Sequence, residues 1–197
     1  MKNLSIIIPS YNEKLIDLVV FECRLLFPQA QIIVGKDVLG NGKGWANKKS
    51  IFFSLGGVIA LIDGDMDIHP KMIKRLLPYL DDYDIVVGTK GIKNIPLKRK
   101  VITILSRIYI RLLFGLKVDT QTGIKVFKRY KIPEWFTSGF SFDMELLAKA
   151  QRRGIRIVEV PIEAKVSKSK SIKVLFKTLL ESLKIWYRLS FRDTGKI

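Results

Sequence analysis

An apolar segment that ends in three closely spaced carboxylates places the strongest constraint on this chain. Residues 58–62 are aliphatic and partly β-branched, and Asp63, Asp65 and Asp67 follow them at alternate positions. Because side chains alternate along an extended backbone, this spacing predicts that the three carboxylates point the same way. Hard oxygen ligands at a strand end suit Mg²⁺ or Mn²⁺, with the phosphates of a ligand completing the coordination shell. The alternative interpretation is a solvated acidic turn.

Strand and helix patterns alternate along the chain on both sides of this segment. Short apolar runs predict strands at 4–8, 31–34, 58–62, 84–88, 124–127 and 155–160. Apolar residues at helical spacing predict helices at 15–27, 45–55, 70–80, 99–114, 144–153 and 172–187. This alternation predicts an α/β fold with a doubly wound, mostly parallel sheet, and such sheets bind ligands at the carboxyl ends of their strands.

A glycine-rich loop, Gly40-Asn41-Gly42-Lys43-Gly44, precedes the predicted helix at 45–55. Backbone amides at a helix start, together with a lysine, form a plausible cradle for phosphate groups. The loop lacks the Gly-Lys-Ser/Thr ending of a Walker loop, so the motif alone is weak. A flexible turn of glycine and asparagine is the alternative.

The charge of the chain indicates an anionic partner. Its 35 Lys and Arg residues outnumber 18 Asp and Glu residues, which gives a net charge of +17. Nucleic acid, acidic lipid and a phosphorylated substrate all fit such an excess. Cys23 is the only cysteine, which excludes an internal disulfide and fits a reducing compartment. With no signal-peptide pattern and no long uncharged apolar run, we expect a cytoplasmic protein that is at most peripherally attached to a membrane.

The segment from Lys165 onward carries nine Lys or Arg residues and two acids. Its apolar residues recur at helical spacing, with lysines and an arginine on the opposite face, and Trp186 and Tyr187 lie near one end. This pattern predicts a basic amphipathic helix in a membrane interface, whereas the alternative is a helix packed on the domain. We therefore divide the chain into a domain at 1–165 and a C-terminal helical segment at 166–197.

Seven motifs, in order, resemble those of family 2 glycosyltransferases, and most closely those of dolichyl- and polyprenyl-phosphate mannose and glucose synthases. Each motif is weak alone, but their shared order is specific, and they cover roughly residues 4 to 170. The motifs are Ile7-Ile8-Pro9-Ser10-Tyr11-Asn12-Glu13, Asn41-Gly42-Lys43-Gly44, Asp63-Gly64-Asp65-Met66-Asp67-Ile68-His69-Pro70, Val86-Val87-Gly88-Thr89-Lys90, Asp119-Thr120-Gln121-Thr122-Gly123-Ile124-Lys125, Phe142-Asp143-Met144-Glu145-Leu146 and Glu159-Val160-Pro161.

The resemblance implies a GT-A fold and inverting sugar transfer from a nucleoside-diphosphate sugar with the help of Mg²⁺ or Mn²⁺. Carried over position by position, it implies that Asp65 and Asp67 hold the metal and that Asp65 is catalytic. The residues implied to bind the nucleotide sugar are Pro9, Tyr11, Glu13, Asp37, Lys43 and Asp63. Two positions depart from the family pattern. The segment Gly35-Lys36-Asp37 contains a single acid, which leaves the choice between UDP and GDP open, and the acid at Asp67 leaves the subfamily open.

The acceptor implied by the resemblance is a polyprenyl (dolichyl) phosphate at an anionic membrane surface. Its oxygen is already anionic at neutral pH, so positioning matters more than a strong base. The cations that we expect to bind the acceptor phosphate are Arg107, Arg111, Lys168 and Lys170. If the acceptor is instead the hydroxyl of a glycan or glycolipid, Asp143 is the candidate base, although it also suits a helix N-cap.

A basic nucleic-acid-binding protein is the alternative from another class. The charge fits, but the chain lacks helix-turn-helix, zinc and RNA-recognition signatures. The three clustered carboxylates would also repel a phosphate backbone. We therefore expect no nucleic acid partner.

Overall fold

The computed structural model describes residues 3–10, 13–37, 39–90, 97–120, 122–139, 141–165 and 172–191. The strands are β1 (Leu4–Ser10), β2 (Gln31–Lys36), β3 (Val58–Ile62), β4 (Ile85–Lys90), β5 (Ile124–Lys128) and β6 (Ile157–Ile162). The α-helices are α1 (Ile16–Leu26), α2 (Lys43–Phe52), α3 (Lys71–Leu76), α4 (Leu97–Phe114), α5 (Phe142–Arg152) and α6 (Ile172–Phe191). Each predicted strand and helix therefore has a counterpart, with boundaries that shift by a few residues, while the basic amphipathic character predicted for the C-terminal helix stays a prediction.

The six strands form one sheet in the order β2-β1-β3-β5-β4-β6. All neighbouring pairs are parallel except those of β5, which runs antiparallel to both β3 and β4. The amino end of β5 therefore meets the carboxyl ends of β3 and β4, and Ile62 pairs with Ile124. This confirms the doubly wound, mostly parallel α/β sheet and brings the loop before β5 to the edge where ligands bind.

Alternating strand residues divide the core into two layers. Ile6, Ile8 and Ala60 face a cluster that includes Val19 and Cys23 of α1. Neighbouring strand residues such as Ile7 and Ile59 face a second cluster, built on α4, α5 and α6. This two-residue period places helices on both faces of a buried sheet. Burial raises the pKa of the Cys23 thiol to about 12, so this cysteine is a protonated core residue.

The predicted helix at 70–80 is divided in two. Pro70 is the N-cap of α3, and a 3₁₀ helix at Leu77–Leu80 follows α3 directly. Pro78 has no N–H to donate to Lys74, so the α-helical hydrogen bonding ends there.

The two long helices α4 and α6 lie on the same face of the sheet. Ile110 and Phe114 of α4, and Ile185 and Leu189 of α6, are buried in the second core cluster. The Tyr109 hydroxyl lies 2.9 Å from Ser182 Oγ and joins the two helices. The C-terminal half of α6 thus packs on the domain. Among the helices within the described ranges, none combines the length and the apolar character needed to cross a bilayer.

Candidate functional site

A cleft of about 670 Å³ opens at the carboxyl edge of the sheet. Its volume lies in the usual range for small-molecule sites. Its walls come from β1, the loop before α2, the segment after β3, the loop before α5, and α6. The residues that line it are Pro9, Ser10, Glu13, Asp37, Gly40, Asn41, Gly42, Lys43, Ala46, Asp63, Gly64, Asp65, Ser138, Gly139 and Glu181. The structure thus brings six of the predicted nucleotide-sugar and metal residues into one cleft. Asp67, the second predicted metal ligand, does not line it, and Tyr11 lies outside the described residues.

The cleft is acidic although the chain is strongly basic. Five of its lining residues are carboxylates and one, Lys43, is a cation, against a net charge of +17 for the whole chain. An anionic ligand such as a diphosphate is repelled by these carboxylates unless cations accompany it. The charge pattern therefore favours a ligand that binds together with a metal ion.

The glycine-rich loop is built differently from a phosphate cradle. The amides of Asn41 and Gly42 donate to the Asp37 carboxylate at 2.8 and 2.5 Å. The amides of Gly44 and Trp45 donate to the Ser138 carbonyl. These protein acceptors occupy the N–H groups that the cradle interpretation assigned to phosphate, so that prediction is wrong. Asp37 lines the cleft and also fixes the shape of this loop.

Lys43 projects from the start of α2 to the carboxylate of Asp63. Its Nζ lies 2.5 Å from Asp63 Oδ1. Burial opposes the charge on Lys43, but Asp63 and Asp143 outweigh this effect, so the pKa of Lys43 is raised and the amine stays charged. On the far side, Gly123 lies so close that a Cβ there would overlap the Asp63 carboxylate. Asp63 is therefore held between Lys43 and Gly123.

The three carboxylates after β3 lie in a turn and not in extended backbone. β3 ends at Ile62, and Met66 adopts a left-handed φ of 57° within that turn. The Asp67 N–H donates to Asp65 Oδ1 at 3.0 Å, which is turn geometry. The extended backbone from which a common direction was predicted is therefore wrong, and of the three only Asp63 and Asp65 line the cleft. Partial burial and the charges of Asp63 and Asp67 raise the pKa of the Asp65 carboxyl.

Cations flank the Asp67 side of the cleft. Lys90 at the end of β4 places its Nζ 3.8 Å from Asp67 Oδ2. Arg107 on α4 donates to Thr89 Oγ at 3.1 Å and lies 3.4 Å from Asp119. Of the other predicted acceptor cations, Arg111 is exposed one turn further along α4, and Lys168 and Lys170 lie outside the described residues.

Asp143 is buried beneath the cleft. The N-cap of α5 is Ser141, not Asp143, so the N-cap interpretation is wrong. The Asp143 carboxylate lies 3.0 Å from Lys125 Nζ, and the two side chains are 9% and 2% exposed. Burial raises the pKa of Asp143, while Lys125 and Lys43 oppose the rise. In this position Asp143 is shielded from the open cleft and is bound to a fixed cation.

A small cavity of about 10 Å³ connects this buried pair to the residues above it. Lys43, Asp63 and Asp143 all line it. Asn47 and Thr122 also line it, and their buried side-chain polar atoms have no hydrogen-bond partner among the described residues. A cavity of this size suits about one water molecule. The layer beneath the cleft is thus polar and tightly packed.

Four residues of the site received no role from the sequence: Asn47, Lys90, Lys125 and Glu181. Lys125 carried a signal, because a lysine stands inside an otherwise apolar strand, Ile124-Lys125-Val126-Phe127. Glu181 is the only acid of α6. Its place in the cleft depends on how α6 packs, which no local pattern reveals.

No protein-family model matches the chain. It is 26% identical over 196 residues to an undecaprenyl-phosphate mannosyltransferase of Micrococcus luteus, an alignment that covers 79% of this chain and 81% of that protein. It is 30% identical over 156 residues to a dolichyl-phosphate β-glucosyltransferase of Trichomonas vaginalis, and this alignment covers 70% of this chain and 46% of that protein.

Solved structures show the same fold. Glucosyl-3-phosphoglycerate synthase from Mycobacterium tuberculosis, in complex with Mn²⁺, uridine diphosphate and phosphoglyceric acid, aligns with a TM-score of 0.73 at 18% identity. That alignment covers 98% of this chain and 80% of the synthase. The chain thus has the GT-A glycosyltransferase fold, and its sequence relatives are polyprenyl-phosphate sugar transferases, as its motifs predicted.

Proposed function

We propose that this chain is an inverting, metal-dependent glycosyltransferase that moves a hexose from a nucleoside-diphosphate sugar to a polyprenyl phosphate. The acidic cleft at the carboxyl edge of a GT-A sheet, in a chain of net charge +17, is the observation that carries this proposal. The names of the sequence relatives support a polyprenyl-phosphate acceptor. Structures of the mycobacterial synthase with Mn²⁺ and UDP-glucose support a nucleotide-sugar donor.

The residues after β3 fit a divalent cation. Asp65 is exposed, and Asp67 is partly exposed at the same turn, so both offer hard oxygen ligands. Within the described ranges no group of three acids, histidines or cysteines is placed to hold a metal, so phosphate oxygens of the donor complete the shell in this proposal. A bound Mg²⁺ or Mn²⁺ supplies charge stabilisation for the departing diphosphate.

The residues of the chain position the donor. In this proposal Pro9 and Glu13, which line the cleft, contact the nucleoside. Tyr11 receives the same role from the family resemblance alone. Asp63 is held in place by Lys43 and offers its carboxylate towards the donor. A donor fixed in this way needs little reorganisation during the reaction.

The acceptor site that we propose lies next to the cleft, beside Asp67. Lys90 at the end of β4 and Arg107 on α4 are placed there, and Arg111 continues the positive charge along α4. A phosphate acceptor brings its own anionic oxygen, so the transfer needs no proton removal at the attacking atom. The buried ion pair of Asp143 with Lys125 favours a positioning role for Asp143 over direct contact with an acceptor.

Product formation tests the proposed function. Purified protein, incubated with Mn²⁺, undecaprenyl or dolichyl phosphate and a panel of UDP- and GDP-hexoses, is expected to form a polyprenyl-phosphate hexose that mass spectrometry detects. EDTA is expected to abolish the product, and added Mn²⁺ is expected to restore it. Transfer to a glycolipid hydroxyl, with no transfer to the lipid phosphate, would contradict a polyprenyl phosphate as the acceptor. Hydrolysis or transfer that is insensitive to EDTA would contradict the metal assignment.

An exposed apolar surface on α4 supports membrane attachment of this face. Val101, Leu105, Ile108 and Leu112 recur at helical spacing and are 47%, 59%, 49% and 83% exposed. Leu183 and Tyr187 of α6, on the same side of the sheet, are 43% and 53% exposed. With Arg111 nearby, this surface has the apolar and basic character of an interfacial helix pair. We therefore propose that α4 and α6 lie against an anionic bilayer.

Leu112→Glu is expected to weaken binding to anionic vesicles by roughly 10- to 150-fold, because burial of one leucine contributes roughly 1.5–3 kcal/mol. Leu55→Glu is the matched control, since Leu55 is also 83% exposed but lies outside both helices. Flotation with vesicles of phosphatidylglycerol and phosphatidylcholine measures the bound fraction. Equal losses in the two variants would contradict the proposed membrane face.

A further inference from the structure

The C-terminal helix contributes one acid to the cleft. α6 runs from Ile172 to Phe191, and Glu181 is its only acidic residue. Glu181 lines the cleft, and its carboxylate accepts a hydrogen bond from Ser141 Oγ at 2.5 Å. An acid on an otherwise basic and apolar helix therefore lies at the donor cleft and not in open solvent.

Packing of the part of α6 that follows Glu181 holds this residue in position. Ser182, the next residue along α6, is fully buried and its hydroxyl lies 2.9 Å from the hydroxyl of Tyr109. Ile185, about one turn after Glu181, is 1% exposed in the core. About two turns after Glu181, the Arg188 guanidinium lies 3.8 Å from the centre of the Phe136 ring. A carboxylate on such a helix is already in place before a ligand arrives.

Glu181 belongs to the same wall as the glycine-rich loop. Its carboxylate oxygens lie 3.2 and 3.4 Å from the position that a Cβ on Gly139 would take. The neighbouring carbonyl of Ser138 accepts the amides of Gly44 and Trp45 at the start of α2. The wall opposite the strand ends is therefore formed jointly by α2, the loop before α5, and α6.

A carboxylate in this wall repels the phosphates of the donor, as do the four other acids that line the cleft. Its chemistry suits a hydrogen-bond donor, and nucleotide sugars carry hydroxyl groups on both ribose and hexose. We propose that Glu181 binds the donor by accepting a hydrogen bond from one of these hydroxyls. This assignment rests on the proposed function and makes α6 part of the donor site.

Calorimetric titration tests this assignment. UDP, GDP, UDP-glucose and GDP-mannose are titrated with Mn²⁺ into the wild type and into Glu181→Gln, Glu181→Asp, Ser141→Ala and Glu163→Gln. Glu181→Gln keeps an acceptor oxygen but loses the negative charge that strengthens the hydrogen bond, so its affinity for the ligand that the wild type binds is expected to fall about tenfold. Glu181→Asp, which withdraws the carboxylate by one methylene, is expected to lose affinity as well.

The two other variants separate ligand binding from a structural role. Ser141→Ala removes the hydrogen bond to Glu181, and Glu163→Gln changes an exposed acid that pairs with Lys71 at 3.1 Å. Both are expected to bind within twofold of the wild type, with melting temperatures confirming the fold. A loss in Ser141→Ala as large as that in Glu181→Gln would overturn the assignment, because the Ser141 contact alone would then explain it.

The ligands distinguish the two sources of the hydroxyl. An equal loss in Glu181→Gln for the diphosphate and its hexose conjugate places the contact at ribose, and a loss for the conjugate alone places it at the sugar. Unchanged or tighter binding by both Glu181 variants would overturn the assignment and leave the proposed function standing. Failure of the wild type to bind any of the four ligands would overturn both.

Discussion

Asp65→Asn is expected to reduce sugar transfer by roughly 1,000-fold or more, since in the proposed function Asp65 holds the metal that supplies charge stabilisation. The residue is exposed, and its carboxylate accepts a hydrogen bond from the Asp67 N–H at 3.0 Å. The loss is therefore expected in turnover and not in stability. Initial rates at saturating donor, with a thermal melt of the same sample, measure both quantities.

Asp82→Asn is the control for this experiment. Asp82 is an exposed acid in the turn before β4, and it does not line the cleft. Its replacement changes the net charge equally and is expected to leave the rate unchanged. Saturation with Mn²⁺ is expected to restore little activity to Asp65→Asn. A variant that retains a tenth or more of the wild-type rate would contradict the metal role of Asp65.

Lys125→Met is expected to destabilise the fold by about 3–5 kcal/mol, because it leaves the buried Asp143 carboxylate without its partner. The total stability of a domain is commonly about 5–15 kcal/mol, so the effect is large. Asp143 Oδ1 lies 3.0 Å from Lys125 Nζ, and the Lys125 side chain is 2% exposed. Urea unfolding at pH 8 measures the change in the free energy of unfolding.

The destabilisation of Lys125→Met is expected to depend on pH. Burial already raises the pKa of Asp143 above its ordinary value of 3.8, and loss of Lys125 removes the main opposing charge. The folded variant therefore binds a proton that the unfolded chain has released, so its stability is greatest below the ordinary pKa and falls as pH rises through the folded pKa. Unfolding at pH 5 is expected to show a smaller loss than at pH 8.

Two further variants test the cause of this effect. Lys128→Met on the same strand removes a partner of Asp84, but Arg156 remains 3.3 Å from that carboxylate, so a smaller loss is expected. The double variant Lys125→Met/Asp143→Leu removes both buried charges and is expected to recover most of the stability. A double variant as unstable as Lys125→Met alone would contradict the ion-pair explanation.

The arrangement of the sheet was largely predictable because its cause is local. The run Leu4–Ile8 is apolar except for Ser5, as expected of a strand covered on both faces, and Pro9 follows it. The residues that line the cleft at Pro9, Glu13, Lys43 and Asp65 come from motifs beside such strand ends. The spacing of residues therefore predicted which chain segments meet at the carboxyl edge.

The directions of the side chains were not predictable from that spacing. The turn with a left-handed Met66 separates Asp63, Asp65 and Asp67, and no periodicity encodes it. The Asp37 carboxylate binds amides four and five residues further along the same loop, which the glycine pattern does not indicate. Glu181 reaches the cleft from a helix distant in sequence, and its position follows from packing between elements.

The antiparallel strand at the middle of the sheet has a consequence for how the chain is made on the ribosome. β4 is synthesised before β5, yet β5 separates it from β3 in the finished sheet. Until residue 128 has emerged, β3 presents an unpaired, apolar edge that the nascent chain or a chaperone must protect. Since Glu181 also lines the cleft, the cleft is completed only after α6 has been synthesised.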